Sequence, residues 1–178
     1  MTGTTALRVA DLAQNAPTPF DIHPDAAAMQ ALAAELDLSA LRKLRFAGQI
    51  MAQGRKNWRL EGQLGATVVQ PCVVTLEPVT TRIDVPVERT YVAGLELPAE
   101  TEAEMPEDDT VEPLGPVIDP AVVLAEALAL ALPLYPRKDG AGLEEAVFTE
   151  PGKAPMRDED ARPFAGLSAL RDQLGKKD

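Results

Sequence analysis

Between Leu44 and Leu64 the apolar residues recur at every second position, which leaves the backbone few options. Leu44, Phe46, Gly48 and Ile50 alternate with Arg45, Ala47 and Gln49, and beyond a break at Gly54, Trp58, Leu60, Gly62 and Leu64 alternate with Arg59, Glu61 and Gln63. Successive side chains of a strand point to opposite faces, so the pattern predicts a β-hairpin with one buried face. The apolar positions are even-numbered on both strands. Opposed residues must therefore have an even index sum, as in Ile50 opposite Trp58, and the loop around Gly54 must be odd in length. That register turns Lys43, Arg45 and Arg59 to solvent and Phe46 and Trp58 to the core. Single-strand binders stack bases on exposed aromatics. With both rings inside, any nucleic-acid contact made by this hairpin is expected to be to phosphate.

Charge is distributed unevenly along the chain. Its 178 residues carry 17 Lys+Arg against 28 Asp+Glu, a net charge of -11. Phosphate affinity comes from counterions released by Lys and Arg, so tight non-specific nucleic-acid binding by the whole molecule is excluded. Yet from Arg42 to Arg59 there are six bases (Arg42, Lys43, Arg45, Arg55, Lys56, Arg59) and no acid, and from Glu96 to Glu112 eight acids and no base. The basic run is a solvated strand face or a binding surface. The acidic run, with its prolines, has the composition of a solubilising disordered loop.

Around the hairpin the other elements follow from local signals. Leu7 to Leu12 suggests a short strand, and Pro17-Thr18-Pro19 an extended connection. His23-Pro24-Asp25 opens a helix running to about Leu38, with Asp25 suited to the helix N-terminus. Val79, Ile83, Val85 and Val87 mark a third long strand, at an edge or bulged at Pro86, which has no N–H for a ladder. The segment from Pro71 to Pro78 is a structured crossing into that strand. Glu96 to Pro116 reads as an unfolded excursion. Asp119-Pro120 is a strong helix start, and Val122, Val123, Leu124, Ala127, Leu128, Leu130 and Ala131 predict a helix buried on several sides, stopped by Pro133 and Pro136. Arg137 to Arg162 reads as a mobile tail, and Phe164, Leu167, Leu170 and Leu174 as a short amphipathic helix over about 163–174.

These elements amount to an α+β domain over 1–136 and a tail over 137–178. The domain is an antiparallel sheet that can curl toward a barrel, backed by two main helices. The compartment expected is the cytoplasm. Cys72 has no partner for an internal disulfide, and the sequence shows no secretory leader or membrane-spanning run.

Enzymatic chemistry is not expected. The glycines at 54, 62 and 65 sit in a hairpin rather than between a strand and a helix, so they form no phosphate loop. Cys72 lacks a positioned base, and His23, beside a helix start, reads as a capping or surface residue. The carboxylates Glu144-Glu145 and Asp158-Glu159-Asp160 lie where no core holds them at catalytic separation. No metal, cofactor or small-molecule substrate is expected.

At the crossing the sequence reads Gln70-Pro71-Cys72-Val73-Val74-Thr75-Leu76-Glu77-Pro78-Val79. This resembles the signature of the YceD family, the large ribosomal RNA subunit accumulation proteins, in which two cysteines separated by two residues precede Leu, any residue, Pro and an apolar residue. Cys72, Leu76, Pro78 and Val79 match, and Thr75 stands in the place of the second cysteine. Leu132-Pro133-Leu134-Tyr135-Pro136-Arg137-Lys138 and Arg162-Pro163-Phe164-Ala165-Gly166-Leu167 are also similar to the family. The resemblance implies a role in large-subunit (23S) rRNA accumulation, with the rRNA precursor or ribosomal proteins as partners. Zinc or redox chemistry does not transfer, because one thiol and a threonine make neither a chelating pair nor a disulfide. Cys72 is expected to be a small apolar filler. Two modes of action remain open. In one, Arg42, Lys43, Arg45, Arg55, Lys56 and Arg59 contact RNA phosphate or an acidic protein patch. In the other, the acidic stretch captures a basic ribosomal protein without touching RNA.

Overall fold

A computed structural model of the chain describes residues 5–95, 110–142 and 152. The backbone divides between Asp139 and Gly140 into two units. The first is α+β. In chain order it comprises β1 (Leu7–Arg8), a 3-10 turn (Val9–Asp11), β2 (Thr18–Ile22), α1 (Ala26–Glu35), β3 (Ala40–Gln53), β4 (Asn57–Pro71), β5 (Pro78–Val92), β6 (Val111–Pro113), β7 (Val117–Ile118) and α2 (Pro120–Ala131).

Five strands form one open sheet in the order β2-β3-β4-β5-β6, antiparallel except for the last pair, and β1 pairs with β7 in a small second sheet. The sheet does not close into a barrel. Its centre is the predicted hairpin. β3 and β4 pair with even index sums from Phe46 opposite Leu64 to Ala52 opposite Trp58, around a three-residue loop at 54–56. The parity expectation holds, but the named pair does not. Ile50 faces Leu60 and Trp58 faces Ala52, because the three-residue loop is centred on Arg55 rather than on Gly54.

The inner face carries the core: Phe46, Ile50, Leu60 and Leu64 are fully buried and Trp58 is 1% exposed. A bulge between Arg42 and Arg45, where Lys43 adopts φ 51°, shifts the register. It inserts one residue, so Leu41 and Leu44 both face the core despite their opposite parity.

Several local expectations change. Leu7–Leu12 is a two-residue strand followed by a 3-10 turn. The Pro17–Pro19 connection becomes the edge strand β2, where Pro19 opposite Gln49 is tolerated because an edge strand has a free side. α1 starts at its cap, Asp25, whose side chain accepts from the Ala28 amide at 2.9 Å. The 96–116 excursion is ordered at its C-terminal end, where Val111–Pro113 pairs with β5 and Glu112 meets Arg89 at 3.1 Å. Residues 96–109 and the expected 163–174 helix lie outside the described residues.

β5 is an edge over most of its length. Thr90 donates its amide to Thr110 on the outer side, so by alternation the even-numbered amides of β5 point away from β4. Pro86 falls in that set, and its missing N–H costs the β4 ladder nothing. α2 opens as expected, with Asp119 accepting from the Ala121 amide and Pro120 in the first turn. It is buried on one side only, through Pro120, Val123, Leu124, Ala127 and Leu128, while Val122 (53%) and Leu130 (78%) are exposed. Among the described residues one layer, the sheet, packs against it, so an all-round apolar helix keeps one apolar face exposed.

Candidate functional site

The six basic residues of the hairpin do not form one patch. All lie away from the core, Arg45 and Arg59 by strand parity, Arg42 and Lys43 through the bulge and Arg55 and Lys56 in the loop, so they occupy three settings. Arg55 and Lys56 sit exposed in the loop. Arg42 and Lys43 are exposed at the bulge near the opposite end of β3. Ten residues of strand from Lys43 to Gln53 separate these groups by roughly 33 Å.

Arg45 and Arg59, between them, are held by acids from neighbouring strands. Arg45 donates to both oxygens of Asp21 in β2, at 2.9 and 2.8 Å, and Arg59 donates to Glu88 of β5 at 2.8 Å. The Arg45 guanidinium, with His23 at 3.0 Å, holds the Asp21 carboxyl down at about 2. His23 is thus a surface partner of Asp21, and the cap is Asp25. The same face carries a Gln49–Glu61 hydrogen bond and an Arg82–Asp84 pair. Its middle is a lattice of compensated charge, and at its two ends stand cations with no acidic partner among the described residues.

A second constellation, built from two distant segments, is tighter. β4 ends at Pro71 and β5 begins opposite it at Pro78, so residues 72–77 make a compact turn. The Cys72 amide donates to the Glu77 carbonyl, and the Leu76 amide to the Cys72 carbonyl. Leu76 closes the turn in the left-handed region, at φ 61°, a backbone conformation that glycine adopts far more cheaply than leucine.

The chain leaving α2 folds onto this turn. The Val73 amide donates to the Pro136 carbonyl at 2.9 Å, Gln70 Nε2 to the Pro133 carbonyl at 3.3 Å, and Lys138 Nζ to both oxygens of Glu77 at 2.9 Å. Lys138, at the start of the expected tail, is hydrogen-bonded to this turn through its amide and its Nζ. The proline-rich segment following α2 cannot continue the helix and instead lends its carbonyls to the turn.

Cys72 is the node of this junction. It is fully buried, yet it is more than a filler: its Sγ accepts from the amides of Val74 (3.4 Å), Thr75 (3.5 Å) and Lys138 (3.4 Å). Hydrogen bonding from the Thr75 side chain, followed by the Lys138 and Thr75 amides, lowers its thiol to about 6. Thr75, in the place of a second cysteine, thus faces the first sulfur as a hydrogen-bond partner. Among the described residues no group of three or more His, Cys, Asp or Glu side chains is placed to hold a metal.

Apolar side chains emerge around this buried node. Leu134 is 87% exposed, Leu76 78%, Tyr135 75% and Val73 48%. Sequence reasoning singled out both segments without finding the surface they make together, because the signal is not local. Leu76 and Tyr135 are 59 positions apart, and only the ladder that ends at Pro71 brings their segments to one corner.

Among the described residues no helix is long and apolar enough to cross a membrane. No curated protein and no solved structure matches the chain. The profile of one family does match, over residues 60–171, from near the start of β4 through the Cys72 turn, β5, α2 and the Pro133–Lys138 segment, leaving all six hairpin bases outside the match. With that match covering more than half of its length, the chain belongs to the YceD family, described as large ribosomal RNA subunit accumulation protein YceD.

Proposed function

We propose that this protein is a non-catalytic factor for the accumulation and processing of large-subunit (23S) rRNA, acting by binding the rRNA precursor or the proteins assembling on it. The observation that carries this reading is the family match over 60–171, which contains both segments of the Cys72 junction. The local chemistry agrees with binding rather than catalysis. The one thiol is sealed in a turn and saturated by amide donors, and the one histidine pairs with Asp21. Neither is a nucleophile beside a base.

RNA phosphate, in this reading, is met by Arg42, Lys43, Arg55 and Lys56, which have no acidic partner among the described residues, with Arg45 and Arg59 contributing less because Asp21 and Glu88 offset them. Depletion of the protein is expected to lower large-subunit rRNA relative to small-subunit rRNA, and unchanged rRNA levels would refute the role. Reversing Arg55 and Lys56 to Glu is expected to weaken binding to protein-free large-subunit rRNA and to reduce its log–log salt slope by about 2.

A second reading is favoured by the net charge of -11 and the compensated outer face. In it the acidic stretch 96–112 captures a basic ribosomal protein and RNA is not touched. Titration at physiological salt separates the two: binding to basic ribosomal proteins but not to rRNA, abolished by deleting 96–109, supports the second.

A further inference from the structure

We propose that the corner where the Cys72 turn meets the Pro133–Lys138 segment is a docking surface for a protein, not an RNA, of the assembling large subunit, engaged through Leu76, Leu134 and Tyr135. The inference rests on the large-subunit reading above and names the kind of partner this part of the molecule takes.

Four observations carry it. The three side chains are at least three-quarters exposed and lie on two segments tied together by the Val73–Pro136 backbone hydrogen bond and by side-chain bonds of Gln70, Cys72 and Lys138, and exposed apolar surface of this kind marks interaction sites on soluble proteins. The surface is held in place before any partner arrives, by the Val73–Pro136 and Lys138–Cys72 bonds and the Lys138–Glu77 ion pair, so little ordering entropy is spent on docking. Leu76 occupies a left-handed backbone position with its side chain 78% exposed, so among the described residues little side-chain burial offsets the strain. Such strain is characteristic of sites where the side chain is needed for something else.

The fourth observation is charge. The ionised residues in and beside the two segments are Glu77, Arg137, Lys138 and Asp139, two of each sign, and Lys138 is already bound to Glu77. A neutral rim releases no counterions and gives phosphate no foothold. Leu and Val offer no π-face to a base, and Tyr135 alone is a thin stacking platform. An apolar centre with a balanced polar rim is instead the anatomy of a protein–protein interface. Of the cations assigned to phosphate, Arg42 and Lys43 lie near this end of the sheet, roughly 17 Å back along β4 from Cys72, whereas Arg55 and Lys56 lie at the far end, roughly 45 Å away, where a protein contact here leaves an RNA contact unobstructed.

The test uses the full chain with p-benzoylphenylalanine in place of Leu134, mixed with purified large-subunit precursor particles and irradiated. An RNase-resistant, protease-sensitive adduct to a subunit protein is expected. An adduct to rRNA, an adduct to a second copy of the chain, or no adduct from chain that co-sediments with the particles would each overturn the inference. Leu76→Asp is expected to weaken co-sedimentation about tenfold. Leu76→Gly separates docking from folding: it relieves the backbone strain and should raise the urea midpoint while still weakening co-sedimentation. Variants that bind within twofold of wild type overturn the proposal. If the wild-type chain itself does not co-sediment, the large-subunit reading fails, and the inference falls with it.

Discussion

The hairpin that organises this molecule depends on a pair of facing glycines, and their replacement gives a graded prediction. Gly48 of β3 lies opposite Gly62 of β4. A Cβ on Gly48 would collide with the Glu61 carbonyl oxygen and stand 2.5 Å from Gly62 Cα and 2.9 Å from the Glu61 carbonyl carbon, all backbone atoms. Nothing there can rotate away, so relief requires the two strands to part locally by about 1 Å from a spacing of about 4.8 Å. Overpacking of this kind costs roughly 1–3 kcal/mol, and loosening one or two ladder hydrogen bonds about 1 kcal/mol each, so Gly48→Ala should lose about 2–5 kcal/mol.

A Cβ on Gly62 would meet Phe46 Cε2 at 2.8 Å, the Ala47 carbonyl at 2.9 Å and Phe20 Cζ at 3.2 Å. Two of those atoms belong to rings packed at a 4.9 Å centroid distance that can tilt, which limits the cost of Gly62→Ala to about 1–3 kcal/mol. Gly54, in the hairpin loop at φ 70° with open space around it, should lose about 1 kcal/mol on replacement by Ala through backbone strain alone. Urea unfolding followed by far-UV circular dichroism and Trp58 fluorescence measures all three. Equal losses at the three positions, or a Gly48→Ala protein within 1 kcal/mol of wild type, would refute the argument from close strand approach.

The remaining predictions concern titration and solvent access. Cys72 has a folded pKa of about 6 against an ordinary 9.0, so its thiolate contribution to stability is full above about pH 9 and fades as the pH falls toward 6. Stability should rise across that window, and Cys72→Ser should remove the rise; thiolate absorbance that titrates near pH 9 in the folded protein would contradict the hydrogen-bonded sulfur. Asp21, held at about 2 by Arg45 and then His23, contributes stability above pH 4 that is lost as the pH falls through 2. Arg45→Gln should return its carboxyl toward the ordinary range in an NMR titration, and an unmoved Asp21 would place the cause elsewhere. Trp58, at 1% exposure, should show blue-shifted emission resistant to iodide quenching; emission like that of free tryptophan would remove the buried face on which the outward orientation of the arginines depends.

Much of this architecture is legible from short-range pattern. Alternation is a direct image of the pleat, so the inner and outer faces of β3 and β4 could be assigned residue by residue, and Asp119-Pro120 marks its helix because cap and first turn are made by adjacent residues. Errors arose where a longer-range contact intervened. Pro17–Pro19 reads as connection until β3 supplies a partner for β2, and Val111–Pro113 is concealed in an acidic run until the edge of β5 binds it. The one-sided burial of α2 follows from the number of layers packed on it, which its own residues do not encode.

The candidate sites divide in the same way. From Leu44 onward along the paired strands, parity alone determines which hairpin side chains face water, whereas at Arg42 and Lys43 the bulge decides it. Which of those cations remain free was decided by Asp21 and Glu88, carried in by strands about 25 to 30 positions away. The Cys72 corner goes further. Its motif residues can be recognised in the chain, but whether a motif leucine is core or surface depends on what stands over it, and that was settled when the segment after α2 folded back to Cys72 and left Leu76 and Tyr135 in water. Periodicity is a property of neighbours along the chain, whereas charge compensation and exposure belong to neighbours in space, so only folding could decide them.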